Sequence, residues 1–579
     1  MDKTADSESS ETNLVIIPRR DRLKLFCRTY WRTLVVFITP IILLPIVFIT
    51  TERAYKSFYV FLMMIVFWTL DVLHPSVLAI IPIAISCILD GLGKSFISEM
   101  YVRNDLLDCF GVLIIVIAVE NCNVHKRLAL KVLLVFGCSH YRLSFLLFFT
   151  STFLSMWVSN TLACGLMMPI VKAILLELEK MGILEMYQTV GKAQQISTRH
   201  EQNVPRPSDI TVFYYLGIAY SSSIGDMATM MGSQTNQLFK IYCETIFPAG
   251  PKIEFPHFML LNLPGVLVME TLLYLWMNFN FLGMFRNRST IEVAMTEEET
   301  QYMNTLLATQ YQQMGKVQFH EFVVASIAVL ACLLQATIST AHIDQAIHSS
   351  TEFHNHFRVS SPCLICVTIL FLMPTKLDFM KYFKKNAEGN NDPLPSTQSK
   401  SCLNWNMVHT EMEWSVLLIT AGSSTLFESL KDSGMHAEFE SFLLLFEGWP
   451  PYALVFIIVV FCKILTEFAS NFCVVYGLLP TIARVSVICG INPHYLMMSA
   501  TLASSLPFHL VTGAGVNAMV CAYVHIPPWR MMYAGLGPSL IAIIVVWLTV
   551  AVWSTAIWTD ITLDPDWSDV NVFQIFRKG

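Results

Sequence analysis

Trp157-Val158-Ser159-Asn160-Thr161 leads into an apolar stretch that reaches Pro169, and Phe468-Ala469-Ser470-Asn471-Phe472 leads into another that reaches Pro480. The two serines are 311 positions apart (470 minus 159), and so are the two prolines (480 minus 169). Each Ser-Asn is followed by a second break that contains glycine. In the first half it runs from Gly225 through Asp226, Thr229 and Gly232 to Asn236, and in the second from Gly513 through Gly515 to Asn517. Asn160 to Asn236 spans 76 positions and Asn471 to Asn517 spans 46; the polar segment 181 to 210 accounts for the difference of 30. Two halves with interrupted apolar segments in matching places point to a secondary transporter whose site lies where the repeats meet.

The residue types suit that task. A helix that starts just after Ser-Asn presents backbone N–H groups and a positive dipole end, which attract an anion. Unwound carbonyls, with Ser and Asn side-chain oxygens, are hard ligands for a small cation such as Na+. Neither role needs a formal charge. A single Ser-Asn would read as a helix cap, but its recurrence at matched spacing favours the binding role.

Composition agrees with a membrane setting. Of 579 residues, 54% are hydrophobic and only 14% charged, which excludes a soluble multidomain protein and predicts an all-α polytopic membrane protein. Lys and Arg are local, with no extended basic face, so no nucleic-acid partner is expected. Several apolar runs, such as 109 to 119 and 362 to 374, are shorter than the roughly 20 helical residues a bilayer core requires. They predict broken helices or re-entrant hairpins, whose backbone must be satisfied by protein or an aqueous cavity. Six basic residues between Arg19 and Arg32, against Asp21 alone, precede the uncharged run Thr33 to Thr50 and place the N-terminal tail, 1 to 32, in the cytosol. The chain then divides into a first half, 33 to 283, a cytosolic linker, 284 to 319, a second half, 320 to 558, and a tail, 559 to 579, that lies outside if the crossings are odd in number. The segment 339 to 358, with His342, His348, His354 and His356, reads as an outside loop without a metal-ligand pattern. Cys363 and Cys366 read as buried small hydrophobes, not as a redox pair.

Further stretches carry a family resemblance: Ala118-Val119-Glu120-Asn121-Cys122-Asn123-Val124-His125-Lys126-Arg127, Met156 to Thr161, Ser223-Ile224-Gly225, Thr466 to Asn471, and Asn517-Ala518. Together they make the chain, from about 35 to 555, resemble the divalent anion/sodium symporters, the group of animal sodium-coupled dicarboxylate, citrate and sulfate cotransporters. The resemblance implies eleven transmembrane helices and two re-entrant hairpins in an inverted repeat, an elevator movement, a homodimer in the plasma membrane, and an extracellular C-terminus. It implies one sodium site framed by Ser159, Asn160, Gly225, Thr229, Gly232 and Asn236, and another framed by Ser470, Asn471, Gly513 and Asn517. The solute would meet Ser159, Asn160 and Thr161 on one tip and Ser470, Asn471 and Phe472 on the other. Na+ is the coupling ion, and no cofactor is implied.

The chain departs from the family pattern where the solute would sit. Phe472 stands where Thr is usual, Ala514-Gly515-Val516 replaces Thr-Pro-Pro, and Asp226 takes the place of Gly. Asp226 is open to two readings: a cation ligand or proton-coupling group, or a solvated acid in the aqueous vestibule. Asp71, Glu120 and Glu467 read as structurally paired acids, with Lys463 four residues before Glu467. No H-E-x-x-H or G-x-S-x-G motif occurs, so the expected activity is not enzymatic. It is sodium-coupled uptake of small divalent anions, dicarboxylates such as succinate, and citrate. The alternatives are sulfate transport by the same fold, or an uncoupled or transport-impaired relative with a regulatory role.

Overall fold

Apolar runs punctuated by Pro, Gly and Ser-Asn fold into helices of uneven length. The computed structural model describes residues 19–49, 52–88, 104–188, 205–284, 297–348, 361–377, 382, 399–558 and 561–568. Among these the regular structure is helical, with two isolated β-bridges, Tyr187 to Pro207 and Pro374 to Ser401. The basic flank forms α1 (Arg19–Thr29), followed by α2 (Trp31–Ile49). The first half continues with α3 (Arg53–Thr69), α4 (Pro75–Ile88), α5 (Asn104–Asn121), α6 (Val124–Phe136), α7 (His140–Ser155), α8 (Asn160–Lys180), α9 (Asp209–Asp226), α10 (Gln234–Ile246) and α11 (Phe255–Phe281). Next come α12 (Glu297–Gln313), α13 (Phe319–His348), α14 (Ser361–Leu372), α15 (Trp405–Glu411), α16 (Trp414–Asp432) and α17 (His436–Leu444). The second half then runs through α18 (Pro451–Phe468), α19 (Asn471–Ile488), α20 (Pro493–Ser504), α21 (Gly515–Val524) and α22 (Pro528–Leu548). A π-helical turn, Thr549–Trp553, joins α22 to α23 (Ser554–Ile557).

Seven of the described helices are long and apolar enough to cross a bilayer, or eight if α5 and α6, bent by 71°, count as one span. The molecule is an all-α polytopic membrane protein. The expected eleven spans exceed this number for a physical reason. Helices such as α9 and α16 carry Ser221, Ser222, Ser223 and Ser423, Ser424, Thr425, all buried against protein, where no lipid demands a hydrocarbon surface. Exposed apolar side chains sit on peripheral helices, among them Phe37, Ile41 and Phe48 on α2 and Leu536, Leu540 and Ile544 on α22.

The two Ser-Asn motifs occupy equivalent places. Helix α7 turns back into α8 through N-cap Ser159 (φ −56°, ψ 144°), and α18 into α19 through N-cap Ser470 (φ −54°, ψ 130°). Pro169 and Pro480 each stand nine residues into the helix that follows. Beyond each hairpin comes an interrupted helix, α9–α10 in one half and α20–α21 in the other. Helix α10 packs on α19, and α21 packs on α8, so each half closes on the hairpin of the other. Thr235 and Ser505 hydroxyls, 2.7 Å apart, join the two interruptions directly.

Two segments expected to be loops are partly helical. Helix α13 continues through 339–348, because no Pro or Gly follows to stop it; His354 and His356 lie outside the described residues. The linker contains α12, which opens on Glu297, Glu298 and Glu299, acids suited to a helix N-terminus. The turn after α12 is held by Arg127 of α6, which donates to the carbonyls of Gly315 (2.7 Å) and Met314 (2.9 Å) and pairs with Glu321 at 2.9 Å. Cys363 and Cys366 are fully buried on α14.

Candidate functional site

The first hairpin tip is fixed by hydrogen bonds around one hydroxyl. Ser159 Oγ accepts from the Leu162 N–H (3.3 Å) and from Gln335 Nε2 (2.9 Å), and donates to Asp108 Oδ2 (3.3 Å). That exhausts the one donor and two acceptor positions of a serine hydroxyl. Gln335 Oε1 in turn accepts the Ser159 N–H at 3.2 Å, so α13 grips the tip through two bonds. The Thr161 hydroxyl donates to Asn160 Oδ1 (3.2 Å). Asp226, at the end of α9, offers its backbone carbonyl to Asn236 Nδ2 at 3.2 Å. It is 4% exposed and belongs to the lining of the cleft described below.

After α9 the chain is unwound from Met227 to Ser233 and lies against the hairpin turn. The Thr229 hydroxyl donates to the Met156 carbonyl. Gly232 comes so close that a Cβ there would lie 3.1 Å from the Met156 and Val158 carbonyls. Asn236 pins the unwound segment: its Nδ2 donates to the carbonyls of Thr229 (2.8 Å), Asp226 (3.2 Å) and Met227 (3.4 Å). Its Oδ1 is buried and has no hydrogen-bond partner among the described residues.

The second half repeats the device. Asn517 Nδ2 donates to the carbonyls of Pro507 (3.0 Å) and Leu510 (3.2 Å), and its Oδ1 is again buried without a partner. Gly513 offers its carbonyl to the Asn471 N–H at 3.0 Å, and a Cβ on it would meet the Thr466 carbonyl at 2.7 Å. The Phe472 N–H donates to Asn471 Oδ1 (2.8 Å), and the Phe472 ring stacks on Tyr476 with centroids 6.2 Å apart. Glu467 anchors this break by accepting the N–H groups of Phe508 (3.1 Å) and His509 (2.8 Å) while paired with Lys463. Glu120 pairs with Lys172 at 2.8 Å and with the Tyr523 hydroxyl, so both acids are structurally matched.

One cleft of about 510 Å³, measured to its open mouth, brings the two tips together. Its lining includes Ser159, Asn160, Thr161, Asp226 and Gly232 from the first half, and Ser470, Asn471 and Phe472 from the second. Gly225, Thr229, Asn236, Gly513 and Asn517 are not among the residues that line the cleft; Thr229 and Gly513 lie in the two interruptions, and Gly225, Asn236 and Asn517 on the helices that flank them. Asp108, also on the wall, and Gln335, which holds Ser159, were missed by the sequence reading. Each is a polar residue at the edge of or inside an apolar run, and that is the signal that would have found them. Among the described residues no three His, Cys, Asp or Glu side chains converge as a metal cluster would require. The available donors are amide, hydroxyl and backbone oxygens with isolated carboxylates, a set suited to hard ions.

Residues 27–559 match the family described as the sodium:sulfate symporter transmembrane region. The chain is 30% identical over 557 residues to Protein I'm not dead yet of Drosophila melanogaster, covering 94% of this chain and 92% of that one. It is 26% identical to the human Na(+)/dicarboxylate cotransporter 3 (93% and 94% covered) and 25% identical to the mouse Na(+)/citrate cotransporter (94% and 98% covered). With paired hairpin tips meeting in one cleft and a family match spanning nearly its whole length, the chain belongs to the sodium:sulfate symporter family, the divalent anion/sodium symporters.

Proposed function

We propose that the protein is a secondary active transporter that moves a small anion across the membrane together with Na+. The observation that carries this reading is the pair of amide oxygens Asn236 Oδ1 and Asn517 Oδ1, both fully buried, both without a hydrogen-bond partner, and equivalent in the two halves. A buried oxygen left without a donor costs about 1–3 kcal/mol, and a bound Na+ offsets that cost. Two such oxygens support one ion per half, framed by Ser159, Asn160 and the 225–236 segment on one side and by Ser470, Asn471 and the 513–517 segment on the other. The names of the relatives supply dicarboxylate and citrate as solutes to test, and the family description adds sulfate. A homodimer in the plasma membrane, an inside N-terminus, an outside C-terminus and an elevator movement belong to the same proposal. They rest on the family resemblance and, for the N-terminus, on the basic flank.

Proteoliposomes with an inward Na+ gradient should accumulate labelled succinate, sulfate or lactate, and replacing Na+ by K+ should abolish uptake. Asn236→Ala and Asn517→Ala should each raise the Na+ concentration for half-maximal uptake by about tenfold. Flat uptake of all three anions by folded protein would overturn the reading in favour of a transport-impaired relative.

A further inference from the structure

The cleft wall around the first hairpin tip carries a carboxyl group of the protein. Asp226 shares the cleft wall with Asn160, the first residue of α8. This is the place where the dipole of that helix would meet the negative end of a solute. Asp108 on α5 reaches the same tip by accepting a hydrogen bond from Ser159 Oγ at 3.3 Å. At the second tip the Asn471 N–H is given to the Gly513 carbonyl, and the Phe472 N–H to Asn471 Oδ1. Among the described residues, those lining the cleft include Asp108 and Asp226 and no Lys, Arg or His.

A solute entering this cleft therefore meets two protein acids and no fixed positive charge. A dicarboxylate spanning both tips would set one of its charges against Asp226, whereas a monocarboxylate would leave that pole to the protein. We propose that Asp226 is an internal substitute for one solute carboxylate, so that the cleft selects small monocarboxylates over dicarboxylates. The inference rests on the sodium-coupled reading above and replaces its dianion with a monoanion. Discrimination arises from a repulsive element built against the rejected ligand as much as from attraction to the accepted one, and Asp226 supplies that element at the tip.

Thermal unfolding of the purified protein, in NaCl and in choline chloride, tests this with lactate and succinate as probes. Ligand binding to the folded state raises the midpoint in proportion to affinity. In NaCl, lactate should raise the midpoint at concentrations about tenfold below those that succinate requires. Asp226→Gly should reverse that order. Asp226→Asn, which keeps the shape and removes the charge, should also gain response to succinate, and it guards against a folding defect in the glycine variant. Equal responses to the two acids in the wild type, an order unchanged in both variants, or no response to either acid overturns the inference. Midpoints indifferent to NaCl in all three proteins overturn the sodium reading instead, and the order measured in choline chloride then decides the role of Asp226.

Discussion

At the scale of single residues, Phe472 is the departure whose position can now be weighed. Its ring lies on the cleft wall, buried, stacked on Tyr476, with Lys431 Nζ 3.7 Å from the far ring. Phe472→Thr removes that stacking at a cost of about 3 kcal/mol and widens the cleft at the second tip. Uptake of the larger anions per folded molecule should rise; uptake that stays level or falls would show that the ring supports the tip and does not obstruct it. The residues legible in the sequence were those whose pattern recurred: Ser159 with Ser470, Asn236 with Asn517. Asp108 and Gln335 have no such counterpart in the pattern. Their role depends on α5 and α13 being folded against a tip that lies 51 and 176 positions away in the chain, and no local rule encodes that proximity.

At the scale of elements, the hairpin tip depends on a helix that is not part of the hairpin. Gln335→Leu would remove both bonds from α13 to Ser159 and leave the Ser159 N–H buried without an acceptor, a cost of about 1–3 kcal/mol. Amide hydrogen exchange across Met156 to Thr161 should quicken by about tenfold or more, with the remainder of α7 and α8 unchanged. Exchange at the wild-type rate would show that α13 does not hold the tip. The breaks were legible because Ser-Asn and Gly interrupt apolar runs in both halves. The length of α13 and the presence of α12 were not, since a polar helix and a polar loop share composition. Here the absence of Pro and Gly, and the acids at Glu297 to Glu299, decided for helix.

At the scale of the whole molecule, the apolar side chains left exposed on α2 and α22 require cover by lipid or by a second copy. The proposed homodimer predicts a detergent-corrected mass twice that of the protomer in light scattering. Epitope tags at the two ends should be reachable from opposite faces of intact cells, the C-terminal one without permeabilisation. A monomeric mass would remove the dimer from the proposal, and tags reachable from one face would require an even number of crossings. The membrane class of the fold was plain from composition, whereas the number of spans was not, because buried polar helices such as α9 and α16 escape a hydropathy criterion.

The crosswise packing of α10 on α19 and of α21 on α8 has a mechanical consequence. Prising the halves apart like a clamshell would strip each tip of the helix that braces it and sever the Thr235 to Ser505 hydroxyl contact. If the proposed transport holds, cargo and ions would travel inside an unopened knot, carried as a unit past some other part of the protein.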